Sequence, residues 1–258
     1  MIADKRLLNE IKENPKKISE IKNPSYELKL EAVKANGMTI KYIENPDKMI
    51  QEVAVKNNPL SIEYIENLNE EVGLLAVTSL WNSLKYIKNP TKNIIKRAIK
   101  AKGLAIQYVE NPSEELQLLA VGKDYDAIKY IENPSEEVQL KAISNHFGAI
   151  KFIKSPTLKA KRLAITLNEE AINYLGNYTF DELKLFIKDN INVVKYIYDT
   201  IDPELVVDVL IDKLDKKEMT REYMKAFLDL EILEMNKIAF VCEYGDKSAK
   251  KLLIDCKL

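Results

Sequence analysis

The chain has 258 residues, of which 46% are apolar, and this is enough to bury one large core or two smaller ones. Its 39 Lys and Arg residues nearly balance 40 Asp and Glu residues, and the net charge of -1 argues against a globally basic nucleic-acid-binding protein and against an acidic disordered tail. Only seven glycines occur, and neither GxGxxG nor GxxxxGK(S/T) is present, which argues against nucleotide binding through a glycine-rich loop.

The cysteines and the N-terminal residues bear on location and cofactors. Cys242 and Cys256 have no His-rich neighbour, so they predict neither a disulfide framework nor a zinc site and favour a reducing compartment. No apolar run reaches the length of a signal peptide or a membrane span. We therefore expect a soluble cytoplasmic protein without a metal or cofactor.

A 22-residue period organises the chain from residue 18 to about 200. Residues 1–17 precede it and predict a single capping helix with Leu7, Leu8 and Ile11 on its apolar side. A proline then recurs in one register, at Pro24, Pro46, Pro90, Pro112, Pro134 and Pro156, and all but Pro156 follow an Asn; Leu68, Tyr178 and Thr200 hold the same position in the other units. A fixed period of this length is typical of stacked helical repeats.

Each unit predicts two short helices. In the unit around Pro134, Asn133 is expected at the N-cap of helix A, Pro134 at its first position and Glu136 in a capping box. The apolar residues of helix A then follow at i, i+4 and i+5, as in Val138, Ala142 and Ile143. Gly37 and Gly103, which lie just after helix A in two other units, predict a glycine C-cap.

Helix B lasts about two turns and would be unstable alone, so it must pack on neighbouring units. Two columns of small residues predict close contact between the helices of a unit. The first is Ala32, Ala54, Ala76, Ala98, Ala120, Ala142 and Ala164, and the second is Thr39, Ser61, Ser83, Ala105, Ala127, Ala149 and Ala171.

The period is lost after Thr200. Longer amphipathic helices are predicted there, at residues 203–214, 220–230, 232–244 and 247–258, as a helical cap or a small interaction domain. The sequence therefore predicts an all-α fold, a right-handed α-solenoid of about nine 22-residue two-helix repeats over residues 18–200, with an N-terminal cap at 1–17 and a C-terminal helical region at 201–258.

The repeat resembles known short α-solenoid units. The run from Asn133 to Asn145, NPSEEVQLKAISN, is similar to leucine-rich-repeat-variant and HEAT-like repeats. Its continuation into Ala149-Ile150-Lys151-Phe152 resembles a bacterial and phage repeat family of unknown function with the pattern VxxAVxxNGxALxY. The units are about half the length of HEAT repeats and lack the helix-A arginine of that family. The resemblance implies a curved binding scaffold and transfers no catalytic residue.

Two polar or aromatic columns have alternative interpretations. The aromatic column could stack nucleobases or line a peptide groove, but seam-filling between consecutive helices B is favoured because Phe152 replaces Tyr in one unit. Its members are Tyr42, Tyr64, Tyr86, Tyr108, Tyr130, Phe152, Tyr174 and Tyr196. The Asn column could bind a peptide backbone, but helix capping is favoured for Asn23, Asn45, Asn67, Asn89, Asn111, Asn133 and Asn177.

Charge does not follow the period. Units 84–105 and 150–171 are basic, whereas units 62–83 and 106–127 are acidic, so the bands could pair as surface salt bridges or form a patterned face for one partner. Trp81, the only tryptophan, precedes the most basic unit. The candidate partner-binding residues are Trp81, Lys85, Lys88, Lys92, Lys96, Arg97, Lys129, Lys151 and Lys154.

These features favour a non-enzymatic scaffold that binds a protein through its curved surface, in a special case as a phage or bacterial inhibitor or decoy of a host complex. Catalysis is not expected, because His146 is the sole histidine and lies at a predicted helix end. The alternative is a nucleic-acid-binding protein like HEAT-like DNA glycosylases, using the basic bands. The acidic units interrupt any such cationic groove.

Overall fold

The structure is a computed structural model that describes residues 2–215 and 218–257. Within these residues α-helices alternate with short 3₁₀ helices, here labelled η, and no β-strand occurs. The predicted all-α fold of tandem helical repeats is confirmed. The chain forms two compact units, Met1–Glu132 and Asn133–Leu258, called the first and the second unit below.

The first unit contains six α-helices and six 3₁₀ helices among its described residues. They are α1 (Ile2–Glu13), η1 (Pro15–Glu20), α2 (Tyr26–Ala35), η2 (Gly37–Tyr42), α3 (Lys48–Asn57), η3 (Pro59–Tyr64), α4 (Glu70–Ser79), η4 (Trp81–Tyr86), α5 (Lys92–Ala101), η5 (Gly103–Tyr108), α6 (Glu114–Lys123) and η6 (Tyr125–Tyr130).

The second unit continues the alternation and then changes to α-helices alone. Its described elements are α7 (Glu136–Asn145), η7 (Phe147–Phe152), α8 (Leu158–Leu167), η8 (Glu169–Tyr174), α9 (Phe180–Asp189), η9 (Ile191–Val193), α10 (Val194–Ile197), α11 (Pro203–Asp215), α12 (Arg221–Asp229), α13 (Lys237–Tyr244) and α14 (Lys247–Lys257).

Two layers of helices make up the repeats of each unit. Consecutive α-helices pack side by side, consecutive 3₁₀ helices do the same, and each α-helix also contacts the 3₁₀ helix that follows it. The core lies between the layers, where the apolar stripe and both small-residue columns are at most 5% exposed in the repeats from α2 to α8. The predicted burial of these columns is confirmed.

The α-helices begin two residues later than predicted. Ser135 is the N-cap of α7, and its side chain accepts a hydrogen bond from the backbone N–H of Val138. Asp47, Thr91 and Thr157 cap their helices in the same way. The predicted N-cap role of Asn133 is therefore wrong.

The Asn column instead lies in the turn before each cap. Asn23, Asn45, Asn111 and Asn133 have φ between 45° and 55°, in the left-handed region that Asn tolerates better than most residues. Because the following Pro has its φ fixed by the ring, the Asn must supply the reversal of chain direction. These four members of the column therefore have a conformational role rather than a capping role.

Helix B is a 3₁₀ helix of six residues in most repeats. Its apolar residues are three apart, as in Ile40 and Ile43, and residues at i and i+3 share one side of a 3₁₀ helix. The N–H of Ile43 donates to the carbonyl of Ile40, which closes the last turn. The spacing of three, without an apolar partner at i+4, is the sequence signal for this helix type.

A polar side chain joins the α-helix to its 3₁₀ helix in five of the repeats, those of α2, α3, α7, α8 and α9. Asn36 has an extended backbone, and its side-chain oxygen accepts the N–H of Met38 at 3.0 Å. Asn58, Asn168 and Asn190 make the same contact. His146 occupies this position in α7, where its Nδ1 accepts the N–H of Gly148 at 3.0 Å.

The predicted C-cap role of Gly37 and Gly103 is wrong, because neither glycine has a positive φ. Both lie at the first position of a 3₁₀ helix, where a Cβ would overlap the backbone carbonyl oxygen of Ala54 or Ala120. Glycine is needed at these two positions because the next α-helix approaches the backbone closely.

The C-terminal helices cover the end of the repeats in the second unit. Helix α11 packs on α9, α12 on η9, α13 on α11, and α14 on both α12 and α13. Helix α13 begins at Lys237 rather than near Ile232, because Asn236 caps it by accepting the N–H of Ala239. Leu258, which was included in the last predicted helix, lies outside the described residues.

Candidate interaction surface

The aromatic column forms a partly exposed ladder on the 3₁₀ layer of each unit. Tyr42, Tyr64 and Tyr130 in the first unit and Tyr174 and Tyr196 in the second are 38–45% exposed, and each lies between an exposed residue and a buried apolar residue in sequence. Tyr86, Tyr108 and Phe152 are half-buried. The interpretation in which each ring fills the seam between helices with its hydroxyl at the rim stays a prediction, because five of the residues are more than one third exposed but still largely covered. We call these eight residues the aromatic ladder.

Lysine ammonium groups lie over several of the rings. The Nζ of Lys41 is 4.9 Å from the ring centroid of Tyr42 and 5.9 Å from that of Tyr64 in the next repeat. Lys85 and Lys129 lie 5.6 and 5.0 Å from the rings that follow them in the first unit. Lys151 is 5.0 Å from Phe152 in the second unit. At these distances a cation is attracted by the negative face of the ring, so each contact favours the observed arrangement of lysine and ring.

Trp81 belongs to the same layer in the first unit. It is the first residue of η4, is half-buried, and stacks on Tyr108 with ring centroids 6.1 Å apart and planes 24° from parallel. This contact joins the predicted tryptophan to the aromatic ladder. One indole and one phenol thus form a larger apolar surface than either ring alone.

The charge around the ladder of the first unit has both signs. Lys85 and Lys88 are exposed, but so are Glu63, Glu66 and Glu110 in the neighbouring repeats. Lys129 forms an ion pair with Asp126 at 3.2 Å, and this hydrogen bond raises the pKa of the Lys129 ammonium group. The face is therefore a patterned surface rather than a continuous cationic track.

The other predicted basic residues of the first unit lie on the α layer, on α5. The carboxylate of Glu115 on α6 binds both Lys96, at 2.7 Å, and Lys92, at 3.3 Å. These two lysines lower the pKa of the Glu115 carboxyl group. Arg97 is exposed on the same helix. The basic band at 84–105 thus pairs in part with the acidic band that follows it, as one of the two interpretations expected.

The second unit repeats this division. Lys151 and Lys154 are exposed on the 3₁₀ layer, whereas Arg162 on α8 makes two parallel hydrogen bonds, at 2.7 and 2.8 Å, to the carboxylate of Asp189. Lys159 pairs with Glu136 at 2.7 Å. The predicted site residues therefore separate into a ladder-associated group, Trp81, Lys85, Lys88, Lys129, Lys151 and Lys154, and an α-layer group, Lys92, Lys96 and Arg97.

Comparison with protein-family models, with curated proteins and with solved structures finds no match to this chain. The interpretation of the surface therefore depends on its own geometry. In the residues that the structure describes, no helix is long and apolar enough to cross a membrane, and no group of three His, Cys, Asp or Glu side chains is arranged to hold a metal ion.

Sequence reasoning missed two contributors to this surface. Lys41 precedes Tyr42 and its ammonium group lies over two rings. It was not predicted as a site residue, because its 22-residue repeat is not strongly basic. Glu170 accepts a hydrogen bond from the Tyr174 hydroxyl at 2.8 Å, which fixes that ring in the second unit and raises the pKa of its phenol. A lysine directly before the aromatic residue was the available signal for the first of these.

Proposed function

We propose that the protein is a non-enzymatic repeat scaffold that binds a protein partner through the 3₁₀ layer that carries the aromatic ladder. The observation that supports this most is the recurrence of one aromatic ring per repeat on the 3₁₀ layer, with five rings partly exposed and lysine ammonium groups over Tyr42, Tyr86 and Tyr130 in the first unit. Tyr and Trp are enriched among the residues that contribute most to protein–protein affinity. The predicted special case, an inhibitor or decoy of a host complex, depends on the phage-like repeat pattern alone.

The mixed charge favours a protein over a nucleic acid. A nucleic acid presents a uniform row of phosphates, so exposed carboxylates such as Glu63, Glu66 and Glu110 beside the ladder would repel it. A protein partner can offer both signs in a matching pattern, which sets specificity and the rate of association. The same surface therefore supports the protein interpretation more than the glycosylase-like alternative.

The test is affinity capture from the native host cell, followed by binding measurements on the purified partner by calorimetry. The test variant replaces Tyr42, Tyr64 and Tyr130 with Ala on the ladder of the first unit. The matched control is Tyr26→Ala, because Tyr26 is 48% exposed but lies on α2 of the α layer. We expect the test variant to weaken binding by at least about tenfold and the control by less than about twofold.

Equal affinity of the test variant and the parent chain would contradict the role of the ladder. Binding to duplex DNA is measured in parallel at two salt concentrations. Tight binding to DNA that falls steeply with added salt would support the nucleic-acid alternative and contradict the proposal.

A further inference from the structure

A groove in the second unit lies outside the aromatic ladder. It has a volume of about 370 Å³ and opens between α10, α11 and the segment of residues 230–236 that joins α12 to α13. Its floor is apolar and consists of Val194, Ile201, Val206, Val207, Leu233 and Met235. We call it the C-terminal groove.

The elements that frame the groove are held in place by hydrogen bonds. The side chain of Asp202 accepts the N–H of Glu204 at 2.9 Å, at the start of α11. On the opposite side, Lys237 donates to the carbonyl oxygens of Leu228 and Leu230, at 2.9 and 2.6 Å, and so fixes the start of the 230–236 segment. Since both walls are tied to helices, a ligand would enter a groove that is already formed, which lowers the entropy cost of binding.

The segments that line the groove carry exposed acidic residues next to the lining residues. Residues 196–207 contain Asp199, Asp202 and Glu204 and no Lys or Arg, and all three acids are exposed. Residues 228–236 contain Asp229, Glu231 and Glu234 and again no Lys or Arg, and these acids are also exposed. Glu234 lines the groove itself.

The lysines that flank these segments are used elsewhere. Lys213 is buried and donates to the carbonyl oxygen of Lys188 at 3.0 Å. Lys195 lies 3.9 Å from Glu169, and Lys237 is bound to the two carbonyls described above. The groove therefore combines an apolar floor with Glu234 in its lining and further exposed acids in the segments that form its walls, here called the acidic border.

We propose that the C-terminal groove binds a basic segment of a protein partner that places one or two large apolar side chains on the apolar floor. The volume lies at the low end of the range of ligand pockets, which suits side chains rather than a large cofactor. Lys and Arg residues of the partner would complement the acidic border, and its apolar side chains would supply most of the affinity. This surface differs from the ladder, so either proposal can fail without the other.

The experiment measures fluorescence anisotropy of labelled peptides with the full chain, at low and at high salt. The first peptide is an amphipathic sequence with Leu at i, i+4 and i+7 and Lys at the other positions. The second has Glu in place of Lys, and the third has Ala in place of Leu. We expect the first peptide to bind at least about tenfold more tightly than the other two, and its binding to weaken with salt.

Charge reversal then locates the binding site. Glu204→Lys with Glu234→Lys should weaken the first peptide by at least about tenfold, because Glu234 lines the groove and Glu204 directly follows the lining residue Pro203. The control, Glu222→Lys with Asp255→Lys, makes the same change in net charge at exposed positions on α12 and α14 and should leave binding within about twofold. A second variant, Val207→Glu, places a carboxylate on the floor and should also abolish binding, with circular dichroism used to verify folding.

Several results would overturn the proposal. Equal loss of binding in the border variant and in its control would show attraction to net charge alone. Equal or tighter binding of the acidic peptide or of the Ala peptide would contradict the assigned chemistry, and so would a failure of the first peptide to bind. Self-association of the parent chain that Val207→Glu abolishes would assign the groove to a second copy.

Discussion

The repeats and the C-terminal helices of the second unit differ in the size of the side chains through which their helices pack. In the repeats, Ala142 and Ala149 are fully buried, and each ten-residue α-helix packs through small residues at fixed positions. In the C-terminal helices, large rings such as Phe227 and Phe240 make the core, with centroids 6.1 Å apart. The comparison indicates that close packing of short helices needs small side chains, whereas a single closing element can use large ones.

The end of α9 illustrates this difference. Two side chains from the C-terminal helices donate to its last carbonyls, Lys213 to Lys188 at 3.0 Å and Tyr223 to Ile187 at 2.8 Å. Burial lowers the pKa of Lys213 and raises that of the Tyr223 phenol. Tertiary contacts from outside the period therefore satisfy backbone groups that the last repeat leaves open.

The largest expected effect on stability concerns the aromatic core of the C-terminal helices. Phe227→Ala removes a fully buried ring and should lower the free energy of unfolding by about 3–5 kcal/mol. Urea unfolding followed by circular dichroism measures it. The control is Phe180→Ala, which removes a ring that is 57% exposed and should cost much less. Equal losses would show that the ring pair does not form the core of this region.

The next effect tests the small-residue columns. Ala142→Leu overfills a fully buried site between α7 and its 3₁₀ helix and should destabilise the chain by about 1–3 kcal/mol. Lys141→Leu is the matched control, since Lys141 is exposed on the same helix. Thermal melts measure both variants. If Ala142→Leu had the same melting temperature as the control, the small-residue column would not be part of the core.

A smaller effect on stability distinguishes Ser135, the observed N-cap of α7, from Asn133, the predicted one. Ser135→Ala removes the acceptor for the Val138 N–H and should cost about 1 kcal/mol. Asn133→Ala should cost a similar amount, about 1–2 kcal/mol, because its φ of 48° is unfavourable for Ala. Asn133→Gly should be tolerated, since glycine adopts this conformation freely. If Asn133→Gly were as damaging as Asn133→Ala, the side chain rather than the backbone would matter.

The smallest expected effect is on the acid dependence of stability. The ion pair with Lys161 at 2.9 Å lowers the pKa of Glu182, so this carboxylate stabilises the folded chain above its ordinary pKa. That stabilisation is lost as pH falls from the ordinary pKa of a Glu carboxyl group, about 4.3, through the lowered pKa of Glu182. Glu182→Gln should therefore reduce the change in unfolding midpoint between neutral and acidic pH. Glu137→Gln, at an exposed position on α7, should leave the change as it is in the parent chain.

Much of the repeat could be predicted from local patterns, because each 22-residue repeat contains its own apolar stripe, small residues and turn residues. The stripe at Val138, Ala142 and Ile143 and the small columns were predicted correctly, since burial follows directly from helical periodicity. The position of the cap was wrong because Asn-Pro also suits a turn in which Asn has positive φ. The sense of the solenoid, the number of repeats and the boundaries at residues 17 and 200 stay predictions.

The candidate surface was only partly predictable. The candidate lysines at 85, 88, 151 and 154 are exposed, because each directly follows one of the buried apolar residues that are three apart. The pairing of Lys92 and Lys96 with Glu115 could only be posed as one of two interpretations, since it joins different helices. The C-terminal groove was not predicted, because its walls come from segments about 30 residues apart with no shared period.

The sequence by itself determined the period, the helix stripes and the small contact positions, because these depend on the order of residues within one unit. Tertiary structure decided how far each ring of the ladder is exposed, which charges pair across helices, and where the C-terminal helices leave a groove. Those properties depend on the distances between elements that are remote in sequence. A local pattern fixes which side of a helix is buried but does not fix what lies opposite it.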